Sequence, residues 1–177
     1  MNITGGFLNS RRIKVSELEN IKPTLSKIRQ GIFNSLATLT QFQDKKFLDM
    51  FSGSGIMAFE AYSRGFQVYS FEKDKMTFNE IKRNAQILDV EGKFMLGNAL
   101  KLISKLDERY DVIYLDPPYQ SDLYEKALEI IKNERFLNPG GFVILERKTE
   151  KITDTEGFNI IKSKIYADKQ IDFLTLI

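Results

Sequence analysis

From residue 45 onward, short apolar runs rich in β-branched and aromatic residues alternate with longer runs of helical periodicity. A short unbroken apolar run is typical of a strand buried on both faces, whereas apolar residues at every third or fourth position are typical of an amphipathic helix. The predicted strands span residues 46–50, 67–71, 93–96, 111–115 and 142–145, and the predicted helices span 57–62, 74–88, 100–106 and 122–133. A turn at Asn138-Pro139-Gly140-Gly141 is predicted before the last of these strands. This alternation predicts an α/β protein with a doubly wound, mostly parallel sheet and helices on both faces.

The two ends of the chain follow a different pattern. Two β-rich runs, 157–166 and 170–177, are separated only by a short turn, which predicts an antiparallel C-terminal hairpin at one edge of a seven-stranded sheet. At the other end, the pattern predicts a small N-terminal β-hairpin of residues 3–7 against 12–15, followed by a helix over 24–39.

Composition narrows the available chemistry. The chain has 177 residues, of which 42% are hydrophobic, and this is enough to bury the core of one domain spanning residues 1–177. It contains no cysteine and no histidine, which excludes disulfides, thiolate nucleophiles, histidine-ligated zinc and imidazole acid–base catalysis. No metal site is expected, and proton transfer must rely on carboxylates, tyrosines, lysines, backbone groups or water. Neither a long apolar run nor a signal-peptide pattern is present, so we expect a cytoplasmic protein that does not enter the membrane.

Charge is distributed unevenly along the chain. The net charge is +2, but the first 30 residues hold six basic residues against two acidic ones. The basic residues of this segment are Arg11, Arg12, Lys14, Lys22, Lys27 and Arg29. Such asymmetry is typical of a basic arm that contacts a polyanion, which here would be an extension formed by the first 20 residues. A solvated surface explains the same charges equally well.

The first predicted core strand ends in the sequence Asp49-Met50-Phe51-Ser52-Gly53-Ser54-Gly55, and a helix follows. Gly53 and Gly55 allow the backbone to approach a ligand where a side chain would obstruct it. The first amides of the following helix are available to polar ligand groups. In a doubly wound sheet, nucleotides bind in the crevice at this carboxyl edge. We therefore expect Asp49, Ser52, Gly53 and Gly55 to contact a nucleotide-like cofactor, although a tight turn alone would also require the two glycines.

Two further polar residues follow neighbouring strands. Glu72 ends the second predicted strand, where a carboxylate can accept hydrogen bonds from both hydroxyls of an adenosine ribose. Asn98 follows the third strand, where its side chain either contacts the adenine edge or caps the next helix. A dinucleotide-binding enzyme fits these residues equally well, because Gly53-x-Gly55-x-x-Ala58 with Glu72 also satisfies that fingerprint.

The sequence Asp116-Pro117-Pro118-Tyr119 follows the fourth predicted strand at the same edge, and it favours methylation of an exocyclic amino group of a nucleobase. Such an amine is a poor nucleophile because its lone pair is delocalised into the ring. Asp116 and the Pro117 carbonyl can accept hydrogen bonds from both amine protons, which orients the nitrogen and stabilises the positive charge that develops on it. The two prolines stiffen the loop, and Tyr119 can stack on a base that is flipped or unpaired. These residues predict a Rossmann-like class I methyltransferase whose cofactor, S-adenosyl-L-methionine, also borders Asp116.

Segments along most of the chain resemble one family of enzymes. Ile3-Thr4-Gly5-Gly6 with Arg11-Arg12-Ile13 resembles the family's opening, and Pro23-Thr24, Arg29 and Ile32-Phe33-Asn34 resemble its first helix. Asp49 to Gly55, with Glu60-Ala61-x-Ser63-Arg64-Gly65, resembles its cofactor motif and the helix that follows. On these residues the chain resembles the 16S ribosomal RNA guanine-N2 methyltransferases of the RsmD type.

The chain departs from that family's pattern at four positions. Lys22 stands in place of an arginine, Gln30 in place of a glutamate and Ser10 in place of a glycine, and Ala167 stands where a tyrosine–glycine pair is common. None of the four is a candidate for binding the cofactor or the amine. We therefore expect the departures to affect RNA affinity before they affect chemistry.

The resemblance implies transfer of a methyl group from S-adenosyl-L-methionine to N2 of one guanine in 16S ribosomal RNA, conventionally position 966. It implies that a partly assembled small ribosomal subunit is the substrate, and we expect the enzyme to be a monomer. It also implies that Arg11, Arg12, Lys14 and Lys22 contact phosphates, which positions the RNA without reading its sequence.

Several alternatives stay open at this point. Thr24 and Arg29 either border the cofactor or the substrate mouth, or serve only as a helix cap and a surface charge. A DNA adenine-N6 or cytosine-N4 methyltransferase uses the same four-residue motif, although the chain has no room for a separate target-recognition domain. A non-catalytic nucleotide-binding factor for ribosome assembly would make the Asp116 motif a coincidence.

Overall fold

The computed structural model describes residues 1–15, 25–118, 121–151 and 153–177. Within them, the helices and strands in chain order are α1 (Ser26–Leu36), β1 (Lys46–Asp49), α2 (Ile56–Tyr62), β2 (Gln67–Glu72), α3 (Lys75–Leu88), β3 (Gly92–Leu96), α4 (Ala99–Ile103), β4 (Tyr110–Leu115), α5 (Leu123–Asn133), β5 (Leu137–Lys148), β6 (Phe158–Tyr166) and β7 (Lys169–Leu176). The strands form one sheet in the order β3-β2-β1-β4-β5-β7-β6. β1 to β5 pair in parallel, and β7 runs antiparallel to β5 and β6. The predicted doubly wound sheet with an antiparallel C-terminal hairpin is confirmed.

The central strand β4 shows why its sequence is apolar without interruption. Successive side chains of a strand point to opposite faces, and both faces of this sheet are covered. Val112 is buried in a core formed with α1, α2 and α3, whereas the next residue, Ile113, is buried in a second core formed with α4 and α5. The carboxyl ends of the parallel strands are therefore held between two packed layers.

Strand β5 differs from its prediction at its beginning. It starts at Leu137, so the predicted turn Asn138-Pro139-Gly140-Gly141 lies inside the strand. Tyr110 of β4 pairs with Leu137, but Val112, only two positions later, pairs with Phe142. The extra residues of β5 form an irregularity with a positive φ of 74° at Gly140. The glycine and proline signal therefore marks an irregularity within β5 and not a loop before it, and the predicted start of this strand at Phe142 was wrong.

The N-terminal segment pairs in a different place from the predicted hairpin. The contacts join Met1–Ile3 to Arg11–Ile13, with one antiparallel bridge between Asn2 and Arg12. The Ile3 amide donates to the Arg11 carbonyl at 3.0 Å, and the Ile13 amide donates to the Met1 carbonyl at 2.8 Å. The antiparallel pairing is thus present, but the expected pairing of residues 3–7 with 12–15 was wrong.

The same segment packs against the body of the domain. Ile3, Leu8 and Ile13 are buried in the core formed with α1, α2 and α3. The Lys14 amide donates to the Asn84 side chain on α3 at 3.0 Å, and Asn84 donates back to the Lys14 carbonyl at 2.7 Å. Because Ile3, Leu8 and Ile13 belong to the main core, the described part of this extension is anchored near both of its ends and in the middle.

A buried ion pair links α1 to α2. Arg29 is 2% exposed, and its Nε donates to the carboxylate of Glu60, which is fully buried, at 2.9 Å. Glu60 also accepts the Thr4 amide at 2.9 Å and pairs with Arg64. Arg29 is therefore a buried ion-pair partner and not a surface charge, and Thr24 lies outside the described residues.

In the part of the chain that the structure describes, no helix combines the length and the apolar character needed to cross a bilayer.

Candidate active site

The turn between β1 and α2 has a backbone that only glycine adopts without strain at two positions. Gly53 and Gly55 have φ values of 50° and 75°, and a Cβ on Gly55 would lie 3.1 Å from the side chain of Ile81. The Ser52 hydroxyl donates to the Asp49 carbonyl at 3.0 Å and lies 2.6 Å from the Ser70 hydroxyl. The buried Ser52 side chain therefore stabilises the turn through its hydrogen bonds, and the backbone of Gly53 lies on the outer side of the turn.

Glu72 lies at the end of β2, beside the glycine turn. One carboxylate oxygen accepts the Gly53 amide at 2.8 Å, and the other accepts the Asp74 amide at 2.8 Å. Each carboxylate oxygen has two acceptor sites, so both keep one for a further donor. The side chain is half-buried, which leaves it open to a ligand in the crevice.

Asn98 caps α4. Its side-chain oxygen accepts the Lys101 amide at 3.2 Å, and its backbone has the extended conformation of an N-cap residue. The capping interpretation is confirmed. A contact between the exposed amide nitrogen and adenine is compatible with this cap and stays a prediction.

Asp49 is a buried carboxylate at the end of β1. It is 1% exposed, and among the described residues neither of its oxygens has a hydrogen-bond partner. Burial raises the pKa of Asp49 to about 8, and the negative charge of Glu72 adds to that rise. The Ala58 amide and the Ser52 hydroxyl oppose it weakly, since both lie nearby but outside hydrogen-bonding geometry. A buried acid without a partner is suited to a cationic ligand group.

The Asp116 loop leaves β4 at the same edge. Asp116 is half-buried, Pro117 is buried and Pro118 is exposed. The Pro117 carbonyl accepts the hydroxyl of Tyr124, on α5, at 3.2 Å, and the Pro118 carbonyl accepts the Ser121 amide at 3.1 Å. No local pattern indicates the role of Tyr124, because a buried tyrosine in an amphipathic helix looks like any other core residue. The loop is thus fixed by hydrogen bonds as well as by its two prolines.

Charged residues on neighbouring strands surround Asp116. Removal from water raises the pKa of Asp116 well above its ordinary value, Glu146 and Asp49 add to the rise, and Lys169 opposes it. Glu146 is fully buried, accepts the Tyr114 hydroxyl at 2.6 Å and pairs with Lys169. Glu146 and Lys169 were missed from the sequence, although an acid that directly follows an apolar strand at this edge was a usable signal for Glu146.

The structure brings some predicted site residues together and leaves others apart. Gathered at the carboxyl ends of β1, β2, β3 and β4 are Asp49, Ser52, Gly53, Gly55, Glu72, Asn98, Asp116, Pro117 and Pro118. Arg11, Arg12 and Lys14 lie on the N-terminal segment, with exposed side chains. Lys22 and Tyr119 lie outside the described residues, and their roles stay predictions.

Comparison with known proteins places the chain in a family. A family model described as Conserved hypothetical protein 95 matches residues 1–175. The Ribosomal RNA small subunit methyltransferase D of Buchnera aphidicola is 30% identical over 168 residues, covering 92% of this chain and 86% of the relative. The protein of the same name in Haemophilus influenzae is 28% identical over 171 residues, covering 93% and 88%. The structure of yhhF from Escherichia coli, described provisionally as a methyltransferase, superposes with a TM-score of 0.87 at 21% identity, covering 99% of this chain and 97% of that one. The chain has the class I methyltransferase fold and belongs to the Conserved hypothetical protein 95 family, the family of the RsmD-type proteins.

Proposed function

We propose that this chain transfers a methyl group from S-adenosyl-L-methionine to the exocyclic N2 amino group of a guanine in 16S ribosomal RNA, of the position-966 type. The observation that carries the proposal is that three features lie at the same edge of the sheet. The glycine turn, the Glu72 carboxylate and the rigid Asp116 loop all meet there. This geometry supports a nucleotide site and an amine-acceptor site side by side.

The charges of the crevice support this cofactor. Asp49, Glu72, Asp116 and Glu146 are four acids at this edge, and Lys169 is a basic residue buried among them. S-adenosyl-L-methionine carries a sulfonium and an ammonium group, and it supplies an activated methyl group when bound. Asp49 and Asp116 would face those cations, Glu72 would accept the ribose hydroxyls, and Gly53 would allow close approach.

In this proposal, Asp116 and the Pro117 carbonyl hold the amine. Asp116 would accept one amine proton and the Pro117 carbonyl the other, using the acceptor site that Tyr124 leaves free. The Pro117 carbonyl is held by Tyr124 before the substrate arrives, so it needs little reorganisation as positive charge develops on nitrogen. After transfer, Asp116 or water can accept the released proton.

The names of the relatives and the basic N-terminal segment support ribosomal RNA as the substrate. Arg11, Arg12 and Lys14 present exposed cations, as contact with phosphates requires. We propose that the enzyme acts as a monomer on a partly assembled small subunit. Tyr119 would stack on the target base.

The direct test is Asp116→Ala, assayed with radiolabelled S-adenosyl-L-methionine and ribosomal RNA. Turnover should fall by at least about 100-fold, since one acceptor for the developing charge is removed, and calorimetry should show that the cofactor still binds. Asp122→Ala is the matched control, because Asp122 is an exposed carboxylate near the same loop and its side chain makes no capping hydrogen bond to α5. Turnover of Asp116→Ala close to that of the control would contradict the proposed role.

A further inference from the structure

Glu146 lies beside Asp116 in the sheet. Leu115 of β4 pairs with Leu145 of β5, so the residues that follow them are neighbours, Asp116 just after the end of β4 and Glu146 within β5. Side chains alternate along each strand, and these two therefore lie on the same face. That face also carries Tyr114, which is two positions before Asp116 and donates its hydroxyl to Glu146 at 2.6 Å.

A third strand contributes the compensating charge. Lys169 is the first residue of β7, directly after the turn from β6, and is only 4% exposed. Its ammonium group contacts one oxygen of Glu146, while Tyr114 contacts the other. Ile171, which shares the face of Lys169, pairs with Glu146 across the sheet. Three adjacent strands thus hold the Glu146–Lys169 pair against the position of Asp116.

Two carboxylates at neighbouring positions of adjacent strands do not both ionise readily unless a cation compensates them. The groups that face Asp116 are Glu146 from β5, Lys169 from β7 and Asp49 from β1. Of these, Glu146 and Asp49 favour the protonated form of Asp116, and Lys169 favours the ionised form. The protonation state of Asp116 matters because an ionised carboxylate only accepts hydrogen bonds. A protonated carboxyl group would instead donate toward the amine that Asp116 is proposed to orient.

We propose that the buried Glu146–Lys169 pair sets the protonation state of Asp116. Lys169 favours the ionised form, which accepts hydrogen bonds, and Glu146 favours the protonated form. The relevance of this pair to amine binding rests on the proposed function. The coupling between the three charges does not, and it can be measured without turnover.

The test is a titration of Asp116 in the full chain without cofactor, followed by carboxyl ¹³C NMR and assigned with Asp116→Asn. Lys169→Met should raise the midpoint of Asp116, and Glu146→Gln should lower it, each by about one pH unit or more. The double variant should lie between the two single variants. The proposal would be overturned if the titration midpoint of Asp116 were the same in the wild type, both single variants and the double variant. It would also be overturned if both single variants shifted that midpoint in the same direction.

Folding of the variants is checked by circular dichroism. Lys169→Met leaves Glu146 buried without its cation, and if that variant does not fold, Glu146→Gln decides alone. In Glu146→Gln, Lys169 still faces Asp116 and Tyr114 keeps a hydrogen-bond partner. An unchanged Asp116 midpoint in that folded variant would then overturn the proposal.

Kinetics separate this inference from the proposed function. If the wild type methylates RNA, the acid limb of kcat against pH should move up in Lys169→Met and down in Glu146→Gln, with KM for the cofactor changed less than about threefold. A purely structural pair would lower the rate by the same factor at every pH. If the wild type transfers no methyl group, the proposed function fails, but the titration still decides whether the charges are coupled.

Discussion

Replacement of Asp49 by asparagine changes how the stability of the protein depends on pH. Folding buries this carboxylate and raises its pKa from 3.8 to about 8, mainly through desolvation and further through the charge of Glu72. Between these two values the folded chain keeps a proton that the unfolded chain releases. The wild type therefore loses stability as pH rises through this window, and the loss ends near pH 8. Asparagine has nearly the same shape and does not titrate.

The size of the effect follows from the rise in pKa. A change from 3.8 to about 8 corresponds to roughly 6 kcal/mol in total, at about 1.4 kcal/mol for each pH unit. Roughly 3 kcal/mol of this falls between pH 5 and pH 7. The free energy of unfolding of Asp49→Asn minus that of the wild type should therefore increase by this amount between pH 5 and pH 7. This holds whatever the stability of the variant at pH 5.

The assay is urea unfolding of both proteins at pH 5 and pH 7. Asp74→Asn is the control without pH dependence in this range, because hydrogen bonds from Thr77 lower the pKa of Asp74 and both states of the chain are ionised there above pH 5. Asp74 contributes stability that is lost only as pH falls below its ordinary pKa of 3.8, so the deficit of Asp74→Asn should be the same at pH 5 and pH 7. If wild type and Asp49→Asn followed parallel pH profiles, the raised pKa and the account of the crevice that depends on it would be refuted.

Three further changes test other parts of the structure. Arg29→Met should lower the free energy of unfolding by about 2–3 kcal/mol, because, among the described residues, it removes one of the two arginines that pair with the buried Glu60 and leaves only Arg64; chemical denaturation measures this. Arg11→Gln with Arg12→Gln should weaken RNA binding and reduce the slope of log K against log salt by about 0.7–1 for each phosphate that is no longer neutralised; filter binding across salt concentrations measures this. Ala167→Gly should raise stability by about 1 kcal/mol, because Ala167 has a φ of 53°, where a side chain is strained; thermal unfolding measures this.

Each of these changes has a matched control. Lys27→Met removes an exposed cation from the same helix as Arg29 and should change stability by less than about 0.5 kcal/mol. Lys105→Gln removes a cation far along the chain from the N-terminal segment and should leave the salt slope unchanged. Ala37→Gly, at an ordinary φ of −61°, should cost about 0.5–1 kcal/mol instead of stabilising. A salt slope that is the same in the arginine variant and the wild type would argue against phosphate contacts by this segment.

The local signals in the sequence predict most of the fold because they depend on neighbouring residues. The unbroken apolar run of β4 predicts burial on both faces, and Asp74 predicts the start of α3, where it accepts the Thr77 amide at 2.8 Å. The glycine turn and the Asp116 motif are likewise local, and parallel strands bring their ends to one edge. That part of the candidate site follows from the sequence with few assumptions.

What the sequence could not predict depends on residues that are far apart along the chain. Glu146 and Lys169 meet only because β7 returns antiparallel to β5, and their register is set by the pairing of the whole hairpin. The pKa of Asp49 depends on how completely the surrounding layers exclude water, which no local pattern encodes. The sequence marks Ser10 and Ala167 only as departures from the family pattern, and the structure adds that both have a positive φ, 67° and 53°.

The central claim is methylation of one guanine in 16S ribosomal RNA, and mass mapping of methylated nucleosides tests it most directly. The RNA is compared among cells with the gene, cells without it, and cells that carry only the Asp116→Ala form. We expect one N2-methylguanine to be present in the first and absent from the other two. An identical set of methylated nucleosides in all three would contradict the claim.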